Sequence, residues 1–318
     1  VIDADWLVTG GTGSLGQKLV RHILATRNPR KVVVYSRDEY KQVLMARELS
    51  DPRVRYIIGD VRNTEAVTRA LRGVDYCIHT AALKHVDKAE YNPGEYIDTN
   101  VRGTQAVVEA CDRAGVKRMV FISTDKAVQP INLYGATKLC AERAVLASCA
   151  SNRNIYTVVR YGNVLESRGS ALLLFRELVQ SGVASLPVTD ETMTRFAMSF
   201  LTALRLIDHA LAGPPQVVYV AKAKSFRMLD LCYAMDKPIV RMGARPGEKH
   251  HECLLSCYES PYATDWGDHY QIAPRTPADG EIDYGGGKPV ESGWEYTSGM
   301  THERLTVEEL RTWATNQN

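Results

Sequence analysis

The sequence predicts an α/β protein: a doubly wound parallel sheet with a smaller substrate domain in the carboxyl half. Three observations predict it. Short apolar runs alternate with helical patterns through the first half of the chain, which implies a right-handed, parallel arrangement. A glycine-rich turn, Thr9-Gly10-Gly11-Thr12-Gly13-Ser14-Leu15-Gly16, joins the first strand to the first helix. Polar clusters recur at the carboxyl ends of the predicted strands, where open α/β sheets hold their ligands.

The elements follow in order. Trp6-Leu7-Val8 reads as a strand and Leu15 to Thr26 as an amphipathic helix. Between them, Gly10, Gly13 and Gly16 permit a tight turn and close approach of a pyrophosphate. The helix N-terminus, with Ser14 and Leu15, supplies free N–H groups, and Thr9 ends the strand. After Pro29, Lys31 to Tyr35 is the second strand. An acidic residue at its end would bind the ribose 2′-hydroxyl of NAD, and a basic one the 2′-phosphate of NADP. Ser36 and Arg37 come before Asp38, and Lys41 follows, so NADP is favoured over NAD. Val54 to Ile58 is the third strand, and Asp60 and Val61 beyond it are suited to the adenine edge. Thr64 to Leu71 reads as a helix. Asp75 to His79 is the fourth strand, followed by Ala81, Ala82, Lys84 and His85, where small residues leave room for ribose and nicotinamide. Asn100 is expected to cap a helix from Val101 to Ala114.

Met119 to Ile122 is a fifth, buried strand. It leads into Ser123-Thr124-Asp125-Lys126-Ala127 and then Tyr134-Gly135-Ala136-Thr137-Lys138, which opens a helix to Ala147. Tyr134 and Lys138, four apart, share one helix face. An ammonium beside a phenol favours the phenolate, a base for a sugar or steroid hydroxyl. The spacing alone is weak, because Tyr233/Lys237 and Tyr284/Lys288 share it. Only the first pair follows a strand and carries Asp125 and Lys126 upstream.

The carboxyl half is less regular. Ile155 to Val159 is a sixth strand, ending near Asn163 and Val164, and Val217 to Val220 is a late one. Arg168, Arg195 and Arg245 lie in or beside Gly- or Pro-bearing loops, and arginines match the diphosphate of a nucleotide sugar. Glu248 matches ribose hydroxyls, and Thr189 and Met193 stand nearby. His250-His251-Glu252-Cys253 invites a metal reading. It is set aside because adjacent histidines cannot share a helix face and no second ligand cluster appears, so no metal is expected. The stretch from Tyr270 to Tyr296 is expected to wrap the surface, and Thr306 to Ala314 to form a closing helix.

Bulk properties agree with an enzyme of small molecules. A net charge of +2 with 24% charged residues gives no signal for nucleic acid or membrane. No apolar run approaches the ~20 residues of a membrane span. Residues 1–5 carry no basic-then-apolar pattern, so no signal peptide is expected. Seven scattered cysteines without Cys-x-x-Cys suggest reduced thiols and a cytoplasmic setting.

Thr9 to Gly16 with Tyr134 and Lys138 resemble an extended short-chain dehydrogenase/reductase. More narrowly, residues 81–86, 123–127, 130–138, 159–164, 193–196 and 245–249 resemble the inverting UDP-N-acetylglucosamine 4,6-dehydratases, the enzymes that open the route to pseudaminic acid. Glu166 departs from the family's usual glycine, and His250 from its aliphatic residue. The resemblance implies a Rossmann domain holding NADP over residues 1–165, with a returning segment near 196–222. Residues 166–195 and 223–318 would hold the UDP-sugar, contacted by Lys84, Asn163, Val164, Arg168, Thr189, Met193, Arg195, Arg245 and Glu248. It implies Tyr134, aided by Lys138, as the base at the 4-hydroxyl, with hydride passing to NADP. It implies Lys126 as the base at carbon 5, Asp125 as the acid at the 6-hydroxyl and Thr124 as a hydrogen-bond partner of the sugar. A homo-oligomer, hexamer or dimer, is also implied.

Overall fold

The computed structural model describes residues 3–149, 154–273, 286–300 and 303–315. Six parallel strands form the centre: β1 (Asp5–Thr9), β2 (Lys31–Ser36), β3 (Val54–Ile58), β4 (Tyr76–His79), β5 (Arg118–Ile122) and β6 (Ile155–Arg160). Their spatial order is β3-β2-β1-β4-β5-β6. The order reverses direction at β1 and β4, which opens a crevice beyond the carboxyl ends of those strands.

The inner strands are mainly apolar because both faces are covered, whereas the edge strand β3 exposes Arg55 and Ile58. Alternation along β1 and β2 assigns the faces. Trp6, Val8, Val32 and Val34 pack with Leu19 and Ile23 of α1 (Ser14–Thr26) and Leu206 of α9 (Phe200–Ala212). Leu7 and Val33 point the other way. They join Val67 of α3 (Thr64–Ala70), Val107 of α6 (Gly103–Ala114) and Val145 of α7 (Leu133–Ser148). Helix α2 (Glu39–Glu48) connects β2 to β3.

Asn100 does not cap a helix. Helices α4 (Val86–Tyr91) and α5 (Pro93–Tyr96) come first, and a π-helical stretch, Ile97–Arg102, runs into α6. Asn100 sits buried in that stretch. Its side chain accepts from the Leu83 N–H at 2.8 Å and donates to the Leu83 carbonyl at 2.9 Å and to Thr137 Oγ1 at 3.1 Å. A cap satisfies its own helix; Asn100 instead ties the loop after β4 to α7.

Beyond β6 come β7 (Asn163–Val164), α8 (Ala171–Gln180), β8 (Leu186–Val188), β9 (Thr194–Met198), β10 (Val218–Ala221), β11 (Lys224–Arg227), α10 (Met228–Ala234), β12 (Ile239–Arg241) and β13 (Cys253–Leu255). Strand β10 returns to the main sheet, parallel to β6. The described residues of the stretch expected to wrap the surface instead extend the sheet. β14 (Ala263–Asp265), β15 (His269–Ile272) and β16 (Lys288–Pro289) add antiparallel strands at the β10 edge. Tyr270 and Ile272 are buried there, because β15 alternates toward the core. Tyr296, in β17 (Tyr296–Thr297), pairs across to β13. Tyr284 of the third Tyr/Lys pair lies outside the described residues. A separate apolar cluster joins Leu172 and Phe175 of α8, Phe226 of β11, Leu231 of α10 and Leu310 of α11 (Val307–Thr315). Among the described residues no helix is long and apolar enough to cross a membrane.

Candidate active site

One cleft of about 900 Å³ runs from the glycine-rich turn, past Ser36 and Arg37, across the ends of β4 and β5, to the 245–248 loop. Its cofactor end is shaped by missing side chains. Gly10 has φ +62°, and a Cβ there would meet Ala81 Cα at 2.9 Å. A Cβ on Gly16 would lie 2.4 Å from the Gly10 carbonyl oxygen. The turn is therefore wound tightly onto the N-terminus of α1, leaving a backbone cradle that fits a pyrophosphate. Gly10, Gly13, Ser14 and Leu15 line the cleft; Thr9 and Gly16 build the turn from behind. Thr9 Oγ1 lies 2.7 Å from Nδ1 of buried His79, whose pKa burial depresses to about 3, so that ring is neutral.

At the β2 end, Asp38 is committed elsewhere. Its carboxylate caps α2 by accepting from the Lys41 N–H at 3.0 Å, and it pairs with Lys41 Nζ at 2.5 Å. Arg37 faces the cleft, 3.7 Å from Asp60. Asp60 is bracketed by Arg62 at 2.7 Å and stands behind Val61, which lines the wall. Ala81 and Lys84 line the floor, and Lys84 Nζ donates to the Arg168 carbonyl at 2.6 Å.

The chemistry lies at the end of β5. Thr124 caps a single 3-10 turn, Asp125–Ala127, and α7 follows from its own cap, Asn132. Gly135 makes the join possible. A Cβ there would lie 2.1 Å from the Lys126 carbonyl oxygen, so only glycine lets α7 lie against the turn. Tyr134 and Lys126 thereby reach the same cleft.

Lys126 Nζ lies 3.0 Å from Asp125 Oδ1 and 3.2 Å from Glu252 Oε1. Burial works to discharge this ammonium, but the two carboxylates outweigh it and hold the pKa above the ordinary lysine value. The resemblance requires a lysine base, and a base is favoured by a lowered pKa. In this resting arrangement Lys126 is instead a firmly held ammonium. Asp125 is buried just under the cleft floor. Its Oδ1 accepts from Thr124 at 2.8 Å, while Oδ2 has no partner. Burial first, and Glu252 next, raise its pKa against the pull of Lys126, which suits a carboxylic acid able to donate.

Tyr134 and Lys138 are both buried, but no hydrogen bond joins them among those described. Lys138 Nζ donates to the Ile122 carbonyl at 2.6 Å and lies 3.9 Å from the centroid of the Phe121 ring. Burial lowers its pKa to about 7, with Glu142 opposing. Burial raises the Tyr134 phenol to about 12, and the cation that pulls it back is Lys126, not Lys138. Lys138 therefore does not hold Tyr134 as a phenolate in this state.

Several expected sugar contacts are drawn elsewhere. Arg168 reaches back to the glycine-rich turn, donating to the Thr12 carbonyl at 2.7 Å and to Ser14 Oγ at 3.2 Å. Buried Arg195 donates to the Thr194 carbonyl at 2.7 Å and to Glu248 Oε1 at 3.0 Å. Thr189 and Met193 pack behind that pair and do not line the cleft, because Met193 is fully buried with its sulfur 3.3 Å from Arg195. Asn163, Val164, Arg245 and Glu248 line it, and so do Arg168 and Arg195 despite those bonds. Glu252 was missed in sequence. It hides in the His-His-Glu-Cys stretch read only for metal, and its charge contact with Lys126 spans more than a hundred residues. Among the described residues, potential metal ligands converge elsewhere, at His209, Asp268 and His269, where both imidazoles already lie within hydrogen-bonding distance of the carboxylate.

The parallel sheet, the glycine cradle and a Tyr-x-x-x-Lys pair at the end of β5 define an extended short-chain dehydrogenase/reductase. Within that class the chain belongs to the family described as "Polysaccharide biosynthesis protein", matched over residues 6–274. It is 39% identical over 308 residues to a UDP-N-acetylglucosamine 4,6-dehydratase (inverting) of Campylobacter jejuni, covering 92% of this chain and 91% of the relative. It is 37% identical to a UDP-glucose 4-epimerase of Rickettsia canadensis, covering 98% and 95%. An X-ray structure of Pen from Bacillus thuringiensis superposes with a TM-score of 0.89 at 36% identity, covering 98% and 97%. The dTDP-glucose 4,6-dehydratase DesIV of Streptomyces venezuelae, with NAD and TYD bound, gives 0.70 at 25% identity, covering 77% and 86%.

Proposed function

We propose that the protein is an inverting UDP-N-acetylglucosamine 4,6-dehydratase. The carrying observation is the buried Asp125–Lys126 pair beside Tyr134 at the cofactor cleft. Epimerisation at carbon 4 needs one oxidation and one reduction there. It needs no acid to expel a hydroxyl, so a buried acid–amine pair favours elimination.

A nicotinamide dinucleotide held by Gly10, Gly13, Ser14, Leu15 and Ala81 would accept hydride from carbon 4 and return it to carbon 6. Tyr134 takes the 4-hydroxyl proton, with Thr124 beside it. Because Tyr134 rests as a phenol, it must first release its proton to solvent through the cleft it lines. Lys126 passes a proton across the 3.0 Å contact to Asp125, which creates an amine and a carboxylic acid together. The amine then takes the proton from carbon 5. The carbon–oxygen bond at carbon 6 breaks, and Asp125 protonates the departing hydroxyl, so water leaves and the ion pair is restored. As hydride returns to carbon 6, carbon 5 takes a solvent proton from the opposite face, and Tyr134 releases to solvent the proton it took from the 4-hydroxyl. Asn163, Val164, Arg245 and Glu248 would face the nucleotide sugar, within a sugar-binding part formed by 166–195 and 223–318.

NADP is the favoured cofactor. Asp38 lines the cleft but spends its carboxylate on capping α2 and pairing with Lys41, and Arg37 faces the cleft beside it. The NAD bound by DesIV keeps NAD as the alternative. The product would enter pseudaminic acid-type surface-sugar synthesis, and the enzyme would act as a cytoplasmic dimer or hexamer.

The test is incubation with UDP-N-acetylglucosamine in heavy water, followed by proton NMR. The expected product is a 4-keto-6-deoxy sugar with deuterium at carbon 5 and inverted configuration there. UDP-N-acetylgalactosamine as the product would overturn the dehydratase assignment in favour of a 4-epimerase, the reading that the Rickettsia relative favours.

A further inference from the structure

Glu252 is 3% exposed, yet it lines the catalytic cleft. It stands just before β13, and its neighbours hold it firmly. Its N–H donates to Ser298 Oγ at 2.9 Å, and its carbonyl accepts from the Ser298 N–H at 2.8 Å. One carboxylate oxygen, Oε1, contacts Lys126 Nζ at 3.2 Å and lies 3.9 Å from Arg195 Nε. The other, Oε2, is buried with no hydrogen-bond partner among the described residues. A buried, unsatisfied carboxylate oxygen is expensive, and it persists where the site uses it.

Resting on the dehydratase reading, we propose that Glu252 is a positioning residue for the Asp125–Lys126 pair: a second counter-ion that holds the Lys126 side chain in place and frees Asp125 to carry a proton. With Asp125 alone, an ammonium 3.0 Å away would keep that carboxyl ionised and useless as an acid. A second negative charge on the far side of the ammonium relieves that pull. When the proton of Lys126 has moved to Asp125, Glu252 remains an anion at the site, with Arg195 Nε 3.9 Å away. The charge of Glu252 raises the pKa of both Asp125 and Lys126.

The charged and titratable groups around it come from every packed element. Asp125 and Lys126 lie on the 3-10 turn, Arg195 on β9 and Lys249 on the preceding loop. Arg195 and Lys249 both pull the pKa of Glu252 down, with Lys126, against the effect of burial, so it stays ionised at neutral pH. Arg195 is itself half-committed to Glu248. Glu252 thus keeps a negative charge beside the pair whether the shared proton sits on Lys126 or on Asp125.

The experiment is the pH dependence of kcat for the holoenzyme with UDP-N-acetylglucosamine, in wild type, Glu252→Gln and Glu252→Asp. Removing the charge lowers both pKa values, so both limbs of the profile should move toward acid. The expected shift is about one to two pH units for Glu252→Gln, the size of effect an adjacent charge exerts. The aspartate variant, charged but shorter, should shift by less in the same direction. At the wild-type optimum Glu252→Gln should lose about 30-fold or more in kcat, with KM changed less than about threefold, as expected when only the chemical step is touched. A merely structural role would lower activity without moving the limbs. Should Glu252→Gln fail to bind cofactor, the aspartate variant alone decides. A wild-type profile in any variant that binds cofactor overturns the proposal. A wild-type enzyme that makes no 4-keto-6-deoxy sugar overturns the dehydratase reading instead, so the two failures are distinct.

Discussion

Two clusters of buried charge meet at the end of β5, and they differ in one respect. In the first, the Arg160 guanidinium donates to both oxygens of Glu142, at 3.1 and 2.7 Å, and to both of Glu259 at 3.1 Å. Ser123 adds a hydrogen bond to Glu142, and Ser256 adds two to Glu259. No side-chain oxygen or nitrogen of Arg160, Glu142 or Glu259 stands among the unpartnered buried atoms. In the second, Lys126 and Arg195 face Asp125, Glu252 and Glu248, and each of those three carboxylates keeps one buried oxygen without a partner. The first cluster is closed and ties β6 and α7 to the 254–259 segment. The second is open toward the cleft. Buried charge with every lone pair used is architecture; buried charge with lone pairs left over is prepared for a substrate.

The contrast can be broken from either side. Lys126→Ala should cut dehydration by about a thousandfold or more, the upper range for a lost proton-transfer group, while the folded enzyme still binds cofactor. Product NMR with a cofactor titration checks it, and retained activity would remove Lys126 from the chemistry. Arg160→Met should act the other way. Stripping the cation from two buried carboxylates costs about 3–5 kcal/mol of stability, measured by urea unfolding. If Arg160→Met proves as stable as wild type, the closed cluster is not architecture.

A smaller effect concerns Lys138, which lies on α7 one turn before Glu142. Burial depresses its folded pKa to about 7, well below the ordinary lysine value. Between pH 7 and about 10 the unfolded chain binds more protons than the folded one, so stability rises with pH there. Below pH 7 the penalty of burying the cation is fully present and constant. Lys138→Met should flatten this rise, which is at most about 1.4 kcal/mol per pH unit. Parallel slopes in the two proteins would mean that Lys138 is not neutral in the folded state. Smallest is Arg37→Ala, which should shift preference from NADP toward NAD about tenfold, read from KM ratios; an unchanged ratio would leave the 2′-phosphate to other residues.

Much of this was legible in sequence, for physical reasons. Strands buried on both faces are continuous apolar runs, so β1 to β6 stand out. The glycine turn is legible because each glycine answers a steric demand. Tyr134, Lys138, Asp125 and Lys126 were found because they lie within fourteen residues on one strand-turn-helix unit. What failed was long-range. Asn100 looks like a cap locally, but bonds to Leu83 and Thr137 decide its place. Tyr270 to Ile272 sits in a polar, Gly- and Pro-rich stretch, yet pairs with β10. Glu252 carries no local signal, since its meaning comes from Lys126. The ionisation of Lys126 could not be read from the Asp-Lys dipeptide for the same reason.

Both clusters draw on the same late stretch of chain, Glu252 for the open one and Glu259 for the closed one. A growing polypeptide that has left the ribosome only as far as residue 250 already carries the glycine turn, Asp125, Lys126, Tyr134 and Lys138. It lacks Glu252 and Glu259, so Lys126 has only Asp125 against it and Arg160 only Glu142. A nascent chain of that length is therefore an incomplete catalyst in which each cation holds one of its two anions, and competence arrives only when the 252–259 stretch packs against the ends of β5 and β6.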